Sequence, residues 1–190
     1  MMPALLAALA LQAAAPAPPR APVPDPCQVD RRAMLALGMD AFDQDLQGGW
    51  RRLSERPGCE GAAAGLIRDY REFMLDRIPI LLWHEGQLRA NLGETEQAIR
   101  LLDRTRRASG DERAAWWNPY VDGTIAFLRG DRAGLAAARS RLAAVARPAD
   151  TPAGRAWPPN LAVLDGLIHC FGRPYREANA VACRPPAPAP

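Results

Sequence analysis

The stretch Trp83–Arg107, WHEGQLRANLGETEQAIRLLDRTRR, decides the fold of this chain. Apolar residues recur in it at helical spacing, and Gly93 separates two amphipathic segments, so the stretch predicts a helical hairpin. The second segment carries acidic residues in its first turn and arginines in its last, an order that suits the helix dipole. Gly86 lies inside the first segment, where glycine costs about 1 kcal/mol relative to alanine. We interpret Gly86 as a point where a neighbouring helix approaches closely.

The same pattern returns further along the chain. One shift of the sequence places Trp83 on Tyr120, Gly86 on Gly123 and Gly93 on Gly130, and a second shift places Gly123 on Gly166. A single helical hairpin buries only one face, so repeated hairpins must stack to complete a core. The sequence therefore predicts an all-α domain of stacked antiparallel helical hairpins. It leaves open whether these form an open solenoid or a closed bundle.

Helical periodicity continues on both sides of this stretch and predicts about nine helices, because no run shows the two-residue alternation of a strand. The first helix is expected over Val29–Leu46. Asn118 followed by Pro119 is typical of a helix start, with asparagine as the cap and proline in the first turn. Asp131 and Asn160 are expected to cap two later helices in the same way.

The amino-terminal segment has the composition of a secretory leader. An apolar run over Pro3–Ala15 is followed by small residues that offer an A-x-A-like cleavage site. The run is shorter than the about 20 apolar residues that span a bilayer, so no stable membrane insertion is expected after cleavage. The alternative is an apolar leader on a cytosolic protein, since no basic residue precedes the run. The predicted segments are a signal peptide over 1–17, a proline-rich disordered linker over 18–27, one helical-repeat domain over 28–183 and a disordered tail over 184–190.

Four cysteines, Cys27, Cys59, Cys170 and Cys183, form two pairs that are each local in sequence. Cysteines in even number are typical of disulfides in exported proteins, and four cysteines allow three pairings. Of these we favour Cys27 with Cys59 and Cys170 with Cys183, and the sequence leaves the other two pairings open. The second pair requires that the helix beginning near Pro174 end early or bend back. In a continued helix Cys183 would lie about 14 Å along the axis, beyond the about 7 Å that a disulfide allows between α-carbons. The expected location is the periplasm or the outside of the cell.

Charge and residue types exclude several function classes. The 24 basic and 21 acidic residues are interleaved along the chain, so it lacks the basic stripe expected of a nucleic-acid-binding protein. All the basic residues are arginine, which excludes Schiff-base chemistry on lysine. His84-Glu85 begins a zinc-protease motif, but Leu88 stands where that motif requires its second histidine. The sequence predicts no metal, no cofactor and no catalytic site.

The repeat resembles the tetratricopeptide repeat, a helical hairpin with a large and then a small residue in its first helix and a small residue in its second. The matching positions in the first unit are Trp83, Gly86, Gly93, Ala98 and Leu102, and those in the second are Tyr120, Gly123 and Gly130. Arg89 replaces an aromatic residue of the family, and neither unit has the closing proline at its usual place. The resemblance covers residues 79 to 183 at most.

This resemblance implies an exported scaffold that binds a peptide or protein through a groove lined by the first helix of each repeat, without catalysis. The expected contacts are Trp83, Gln87, Tyr120 and Arg129. The sequence does not identify the partner. The alternative hypothesis is a small-ligand-binding protein or enzyme with a pocket between helices around His84 and Glu85. A third is a structural domain of the cell envelope without a dedicated groove.

Overall fold

The structure, a computed structural model, describes residues 25–75 and 78–184. Within these residues the chain forms nine α-helices and no strand, which confirms the predicted all-α class. The helices are α1 (Arg31–Leu35), α2 (Gly49–Ser54), α3 (Glu60–Phe73), α4 (Pro79–Asn91), α5 (Thr95–Asp103), α6 (Ala114–Leu128), α7 (Arg132–Ala143), α8 (Leu161–His169) and α9 (Tyr175–Ala178). A π-helical turn, Asp40–Gln44, lies between α1 and α2, and a 3-10 turn, Val181–Cys183, follows α9.

Several predictions fall on parts of the chain that the structure does not cover. The expected signal peptide, residues 18–24 of the expected linker and residues 185–190 of the expected tail lie outside the described residues. Among the helices that are described, none has the length and apolar character needed to cross a membrane.

Three antiparallel hairpins, α4/α5, α6/α7 and α8/α9, follow one another and stack along the chain. The first two turn at Gly93 and Gly130, whose φ angles are +77° and +71°. Glycine adopts this left-handed conformation without the steric cost that a side chain would add. The two glycines that align in the sequence repeat, Gly93 and Gly130, therefore form equivalent turns in the structure.

Gly86 and Gly123 mark close approaches between helices, as the sequence predicts. A Cβ atom at position 86 would lie 2.8 Å from Cδ2 of Leu102 on α5, and one at position 123 would lie 2.7 Å from Cδ2 of Leu164 on α8. Both leucines are fully buried and have little room to move. The two glycines thus set the distances at which α4 meets α5 and α6 meets α8.

Two hydrophobic cores meet along α4. Leu81 and Leu88 belong to a core built by α2, α3 and the π-helical turn. Trp83 and Ala90 belong to a second core, which extends through α5 to α9. Because α4 is buried on both sides, its rotation about its own axis is fixed.

The prediction of one helix over Val29–Leu46 is wrong. Helix α1 ends at Leu35, and the chain then turns into the π-helical segment. The cause is a contact distant in sequence: the Tyr70 hydroxyl donates a hydrogen bond of 2.8 Å to the carbonyl of Leu37. The Tyr70 ring also stacks on Phe42, with 3.7 Å between ring centroids. The helix ends early because the break allows Phe42 to be buried against α3.

The predicted start of a helix at Asn118 is also wrong. Helix α6 begins at Ala114, so Asn118 and Pro119 lie inside it. The Asn118 side chain instead accepts from the backbone N–H of Arg107 at 2.9 Å and donates to the Arg107 carbonyl at 3.0 Å. It therefore fixes the connection between α5 and α6 rather than the end of a helix.

The two other predicted caps have different outcomes. Asp131 caps α7, since its carboxylate accepts from the backbone N–H of Gly134 at 2.8 Å. Asn160 occupies the cap position of α8, but its φ of +65° belongs to the left-handed region and its side chain makes no capping hydrogen bond. The cap at Asp131 is confirmed, and the expected capping bond of Asn160 is wrong.

Both predicted disulfides are present. Cys27 is bonded to Cys59 and Cys170 to Cys183, with α-carbon separations of 5.2 and 5.9 Å. The second bond forms because α9 ends at Ala178 and the chain returns through the 3-10 turn, as the sequence required. Two disulfides indicate an oxidising compartment.

The close approach at Gly86 has a measurable consequence. We expect Gly86→Ala to lower the free energy of unfolding by about 1 kcal/mol or more, because overpacking against Leu102 outweighs the better helix propensity of alanine. Gly65→Ala is the matched control, since a Cβ there meets no atom within 4 Å. The control should gain up to about 1 kcal/mol. Urea unfolding measures both, and a Gly86→Ala variant as stable as the parent would contradict the packing.

Candidate functional site

A cavity of about 720 Å³ opens on the side of the molecule formed by α4, α6 and α8, the first helices of the three hairpins. We call this side the first-helix face. The loop between α7 and α8 and the segment after α9 also line the cavity. Its volume lies within the about 300–1,000 Å³ typical of ligand sites.

Tryptophan and tyrosine form much of the cavity wall. Trp83 of α4 packs against Trp117 and Tyr120 of α6, with ring centroids 4.9 and 4.7 Å away. All three are buried, so little of their surface is exposed in the cavity. Trp116 and Trp157 also line the cavity and are only half-buried. These two rings leave aromatic surface open to a ligand.

Hydrogen bonds to backbone carbonyls hold two of the indole rings in place. Nε1 of Trp117 donates to the Thr105 carbonyl at 2.8 Å, and Nε1 of Trp157 donates to the Val145 carbonyl at 3.0 Å. Each ring therefore has a satisfied polar atom on the protein side. The aromatic wall is ordered before any ligand arrives.

His84 lines the same cavity and is held from behind by Asp43 of the π-helical turn. Nδ1 of His84 lies 2.6 Å from Oδ1 of Asp43, which has no exposed surface. Nε1 of Trp50 donates to the same oxygen at 2.8 Å, and Nε of Arg51 donates to the Asp43 carbonyl at 3.0 Å. Because a carboxylate accepts the Nδ1 proton, Nε2 of His84 is left for the cavity.

Asp43 is ionised at neutral pH in spite of its burial. Burial raises the pKa of Asp43. The opposite effect is larger, and it comes from the hydrogen bond and charge of His84, the hydrogen bond from Trp50 and the charge of Arg51. The net effect is a pKa below the ordinary value of 3.8. A buried carboxylate with several donors is the arrangement that keeps a carboxyl group charged.

Two tyrosines near the cavity are neutral hydrogen-bonding groups. Burial raises the pKa of Tyr120 well above 10 and that of Tyr175 to about 12, and the positive charge of Arg184 partly offsets both shifts. The Tyr175 hydroxyl accepts from Nε2 of Gln87 at 3.5 Å.

The structure brings three of the four expected contact residues to one cavity. Trp83, Gln87 and Tyr120 all line it. Arg129 does not line it and is exposed at the end of α6. The expected site is therefore compact at α4 and α6, without a contribution from Arg129.

His84 and Glu85 do not form one pocket. Glu85 is buried and accepts from Nη2 and Nε of Arg71 on α3, at 2.8 and 3.0 Å. Nε of Arg89 lies 3.6 Å from its other carboxylate oxygen. Of the two residues proposed for the alternative site, only His84 lines the cavity, because Glu85 forms a buried ion pair that links α4 to α3.

Sequence reasoning missed several residues of the site, among them Asp43, Trp157 and Arg184. Asp43, Trp157 and Arg184 come from three separate segments, and no spacing in the sequence connects them with α4 or α6. Trp157 alone carried a signal, since a large aromatic residue in a proline-rich loop is unusual. Within the described residues no group of three or more histidine, cysteine or acidic side chains is placed to hold a metal ion.

The chain matches no protein-family model, no curated protein and no solved structure in comparisons with all three. The function of the cavity is therefore inferred from its own geometry.

Asp43 should stabilise the protein in a pH-dependent way. We expect Asp43→Asn to lower the free energy of unfolding by about 1–3 kcal/mol near neutral pH, since His84 and Trp50 lose a charged acceptor. The folded pKa of Asp43 lies below its unfolded value, so this stabilisation is present above about pH 3.8 and is lost as the pH falls through the lower folded pKa.

Urea unfolding at a series of pH values tests this expectation. The stability difference between Asp43→Asn and the parent should shrink as the solution becomes acidic. Asp40→Asn, an exposed position in the same π-helical turn, is the control and should change little. A difference that does not depend on pH would contradict the role of the Asp43 charge.

Proposed function

We propose that the protein binds a short segment of a partner protein in the cavity on the first-helix face. The observation that carries this proposal is the aromatic wall that α4 and α6 build together. Trp116 and Trp157 offer open ring surface. The buried Trp117 is in ring contact with Trp116 and packs with Trp83 and Tyr120. Tryptophan and tyrosine are enriched among the residues that dominate binding energy, because they bury much area with few rotatable bonds.

Polar groups around the rings suit a peptide. Side-chain amides of Gln87, Asn160 and Asn179 line the cavity beside the aromatic residues. An amide both donates and accepts, so it can bond the N–H and C=O groups of an extended segment. Apolar walls with a few placed polar groups are typical of specific sites.

The position of the cavity agrees with the binding mode that the resemblance to tetratricopeptide repeats implies. In that family the first helices of the hairpins line the binding groove, and here α4, α6 and α8 all contribute to the cavity wall. We include the resemblance in the proposal as a mode of binding. The proposal does not depend on it, because the wall itself offers the apolar surface.

A second candidate function is proton transfer to or from a small ligand in the same cavity. The observation that favours it is the pair of Asp43 and His84, 2.6 Å apart, with Nε2 of His84 left for the cavity. A carboxylate that orients an imidazole in this way is typical of general acid–base sites. His84→Gln separates the two functions, since it would remove proton transfer and leave the aromatic wall intact.

The two disulfides support a location in the periplasm or outside the cell, as does the apolar amino terminus. We expect the protein, isolated from its native compartment after acid quenching to stop thiol–disulfide exchange, to have no titratable thiol after unfolding. The reduced protein is the control and should show four thiols, one for each cysteine. Two or more thiols in the unreduced sample would contradict export.

Site-specific photocrosslinking tests the proposed binding site. A photoreactive amino acid at Gln87, which is half-buried in the cavity wall, should yield an adduct with one partner in the native compartment. The matched control is the same group at Phe73, whose side chain is 65% exposed on the amino-terminal part of the molecule. The adduct at position 87 should decrease when Trp116→Ala is added, since this removes open ring surface.

The outcome that contradicts the proposal is equally specific. An adduct that forms at position 73 but not at 87 would place the interaction outside the cavity. An adduct at 87 that is insensitive to Trp116→Ala would show that the aromatic wall does not contribute to the binding energy.

A further inference from the structure

We propose that the chain's own proline-rich tail, PPAPAP at residues 185–190, occupies the cavity on the first-helix face and competes there with the partner. The inference rests on the proposed function, because it treats the cavity as a site for an extended segment. It adds regulation to that site, since the partner must displace the tail before it can bind.

The tail begins at the wall of the cavity. Arg184, the last described residue, is itself part of that wall. Its position is fixed on two sides: the preceding Cys183 is bonded to Cys170, and a Cβ at Gly166 of α8 would lie 3.3 Å from Cγ of Arg184. Six residues in the polyproline II conformation extend about 19 Å, which is enough to cross a cavity of about 720 Å³.

The backbone of Arg184 has the conformation of a polyproline II helix. Its φ and ψ angles are −78° and 141°, close to the about −75° and +145° of that helix. Every residue in RPPAPAP either is proline or precedes one, and both kinds of position favour this conformation. Composition alone predicts a disordered tail, but a segment already restricted to an extended form loses little entropy when it binds.

The open tryptophan rings of the cavity suit proline. Trp116 and Trp157 line the cavity and are half-buried. The Trp116 ring lies 5.9 Å from the ring of the buried Trp117, and Nε1 of Trp157 donates to the Val145 carbonyl at 3.0 Å. Both rings are therefore held in place. Proline-rich segments bind in grooves lined by aromatic residues, where the preformed helix lays its rings on the aromatic surface.

The polar groups of the wall are complementary to a segment rich in acceptors. Residues 185–190 have six backbone carbonyls but only two backbone N–H groups, because four of the residues are proline. The side-chain amides of Asn160 and Asn179 line the cavity and make no hydrogen bond within the part of the chain that the structure describes. Arg155 lines it too and has no ion pair with any described residue. These donors are available to the tail carbonyls.

Covalent attachment compensates for a weak affinity. A short tether presents its ligand at an effective concentration of millimolar order. The tail therefore fills the cavity even where the free segment binds only in the millimolar range. A partner with a higher affinity still displaces it, so the tail raises the partner concentration needed for binding without preventing it.

Binding of the free tail peptide tests the inference. The probe is acetyl-Pro-Pro-Ala-Pro-Ala-Pro-amide, and tryptophan fluorescence reports its binding because the peptide has no aromatic residue. The parent is compared with a full-length serine variant, which carries Pro185→Ser, Pro186→Ser, Pro188→Ser and Pro190→Ser. We expect the serine variant to bind the probe in the millimolar range and the parent to bind it at least about tenfold more weakly, since its own tail competes.

Two controls assign this binding to proline and to the cavity. The peptide acetyl-Ser-Ser-Ala-Ser-Ala-Ser-amide should bind neither chain. Trp116→Ala, added to the serine variant, should abolish binding of the proline peptide, whereas Phe73→Ala should preserve it because Phe73 lies outside the cavity. Urea unfolding shows that each variant is folded.

Photocrosslinking locates the tail. A photoreactive amino acid at Gln87 of the purified protein, without any partner, should form an adduct with residues 185–190 of the same chain, detected by mass spectrometry in the monomer fraction. The serine variant has a tail of equal length and should give several-fold less adduct, which separates binding from proximity. An adduct confined to dimers would place the tail of a second copy in the cavity and overturn the intramolecular contact.

The outcomes separate this inference from the proposed function. Equal binding of the proline peptide to the parent and the serine variant would overturn occupation by the tail and leave the cavity as a peptide site. Failure of the peptide to bind either chain at tens of millimolar would overturn it as well. The proposed function fails on a different observation, the absence of a partner adduct at position 87 in the native compartment for both the parent and the serine variant.

Discussion

The burial of α4 on both sides is the constraint on which the rest of the structure depends. Leu81 and Leu88 pack into one core and Trp83 into the other, so the helix has one possible rotation. At that rotation Glu85 meets Arg71 inside the protein, and Gly86 lies against Leu102 of α5. The remaining direction carries His84 and Gln87 to the cavity. A polar site thus arises on a helix whose other faces are fully occupied.

The hairpins that follow α4 repeat this geometry and complete the cavity. Gly86 allows α4 to approach α5 and Gly123 allows α6 to approach α8. The first helices α4 and α6 meet through the ring contact of Trp83 with Tyr120. At the carboxyl-terminal end of the described chain, the disulfide of Cys183 holds Arg184 over Gly166. The packing of the hairpins and the proposed binding site therefore depend on the same contacts, and a substitution that separates the hairpins would also alter the site.

The sequence predicts those features whose causes are local. The hairpins follow from helical periodicity and from glycines at the turns and the close approaches, and the face that carries Trp83 and Gln87 follows from the same periodicity. Predictions failed where a residue distant in sequence determines the local structure. The Tyr70 hydroxyl donates to the Leu37 carbonyl where the first helix was expected to continue, and the Asn118 side chain accepts from the Arg107 N–H instead of capping α6. The residues of the site that were missed, among them Asp43, Trp157 and Arg184, likewise depend on tertiary packing and leave no spacing in the sequence.

The indole N–H signals of the ¹⁵N–¹H spectrum test the central claim, that the cavity on the first-helix face binds the partner. Of the five tryptophans, Trp83, Trp116, Trp117 and Trp157 line the cavity, while Trp50 donates to Asp43 behind it. During addition of the partner segment that residue 87 captures, the signals of the four cavity tryptophans should shift together and saturate, and that of Trp50 should move least. A titration in which Trp50 shifts and Trp116 and Trp157 stay in place would contradict the claim.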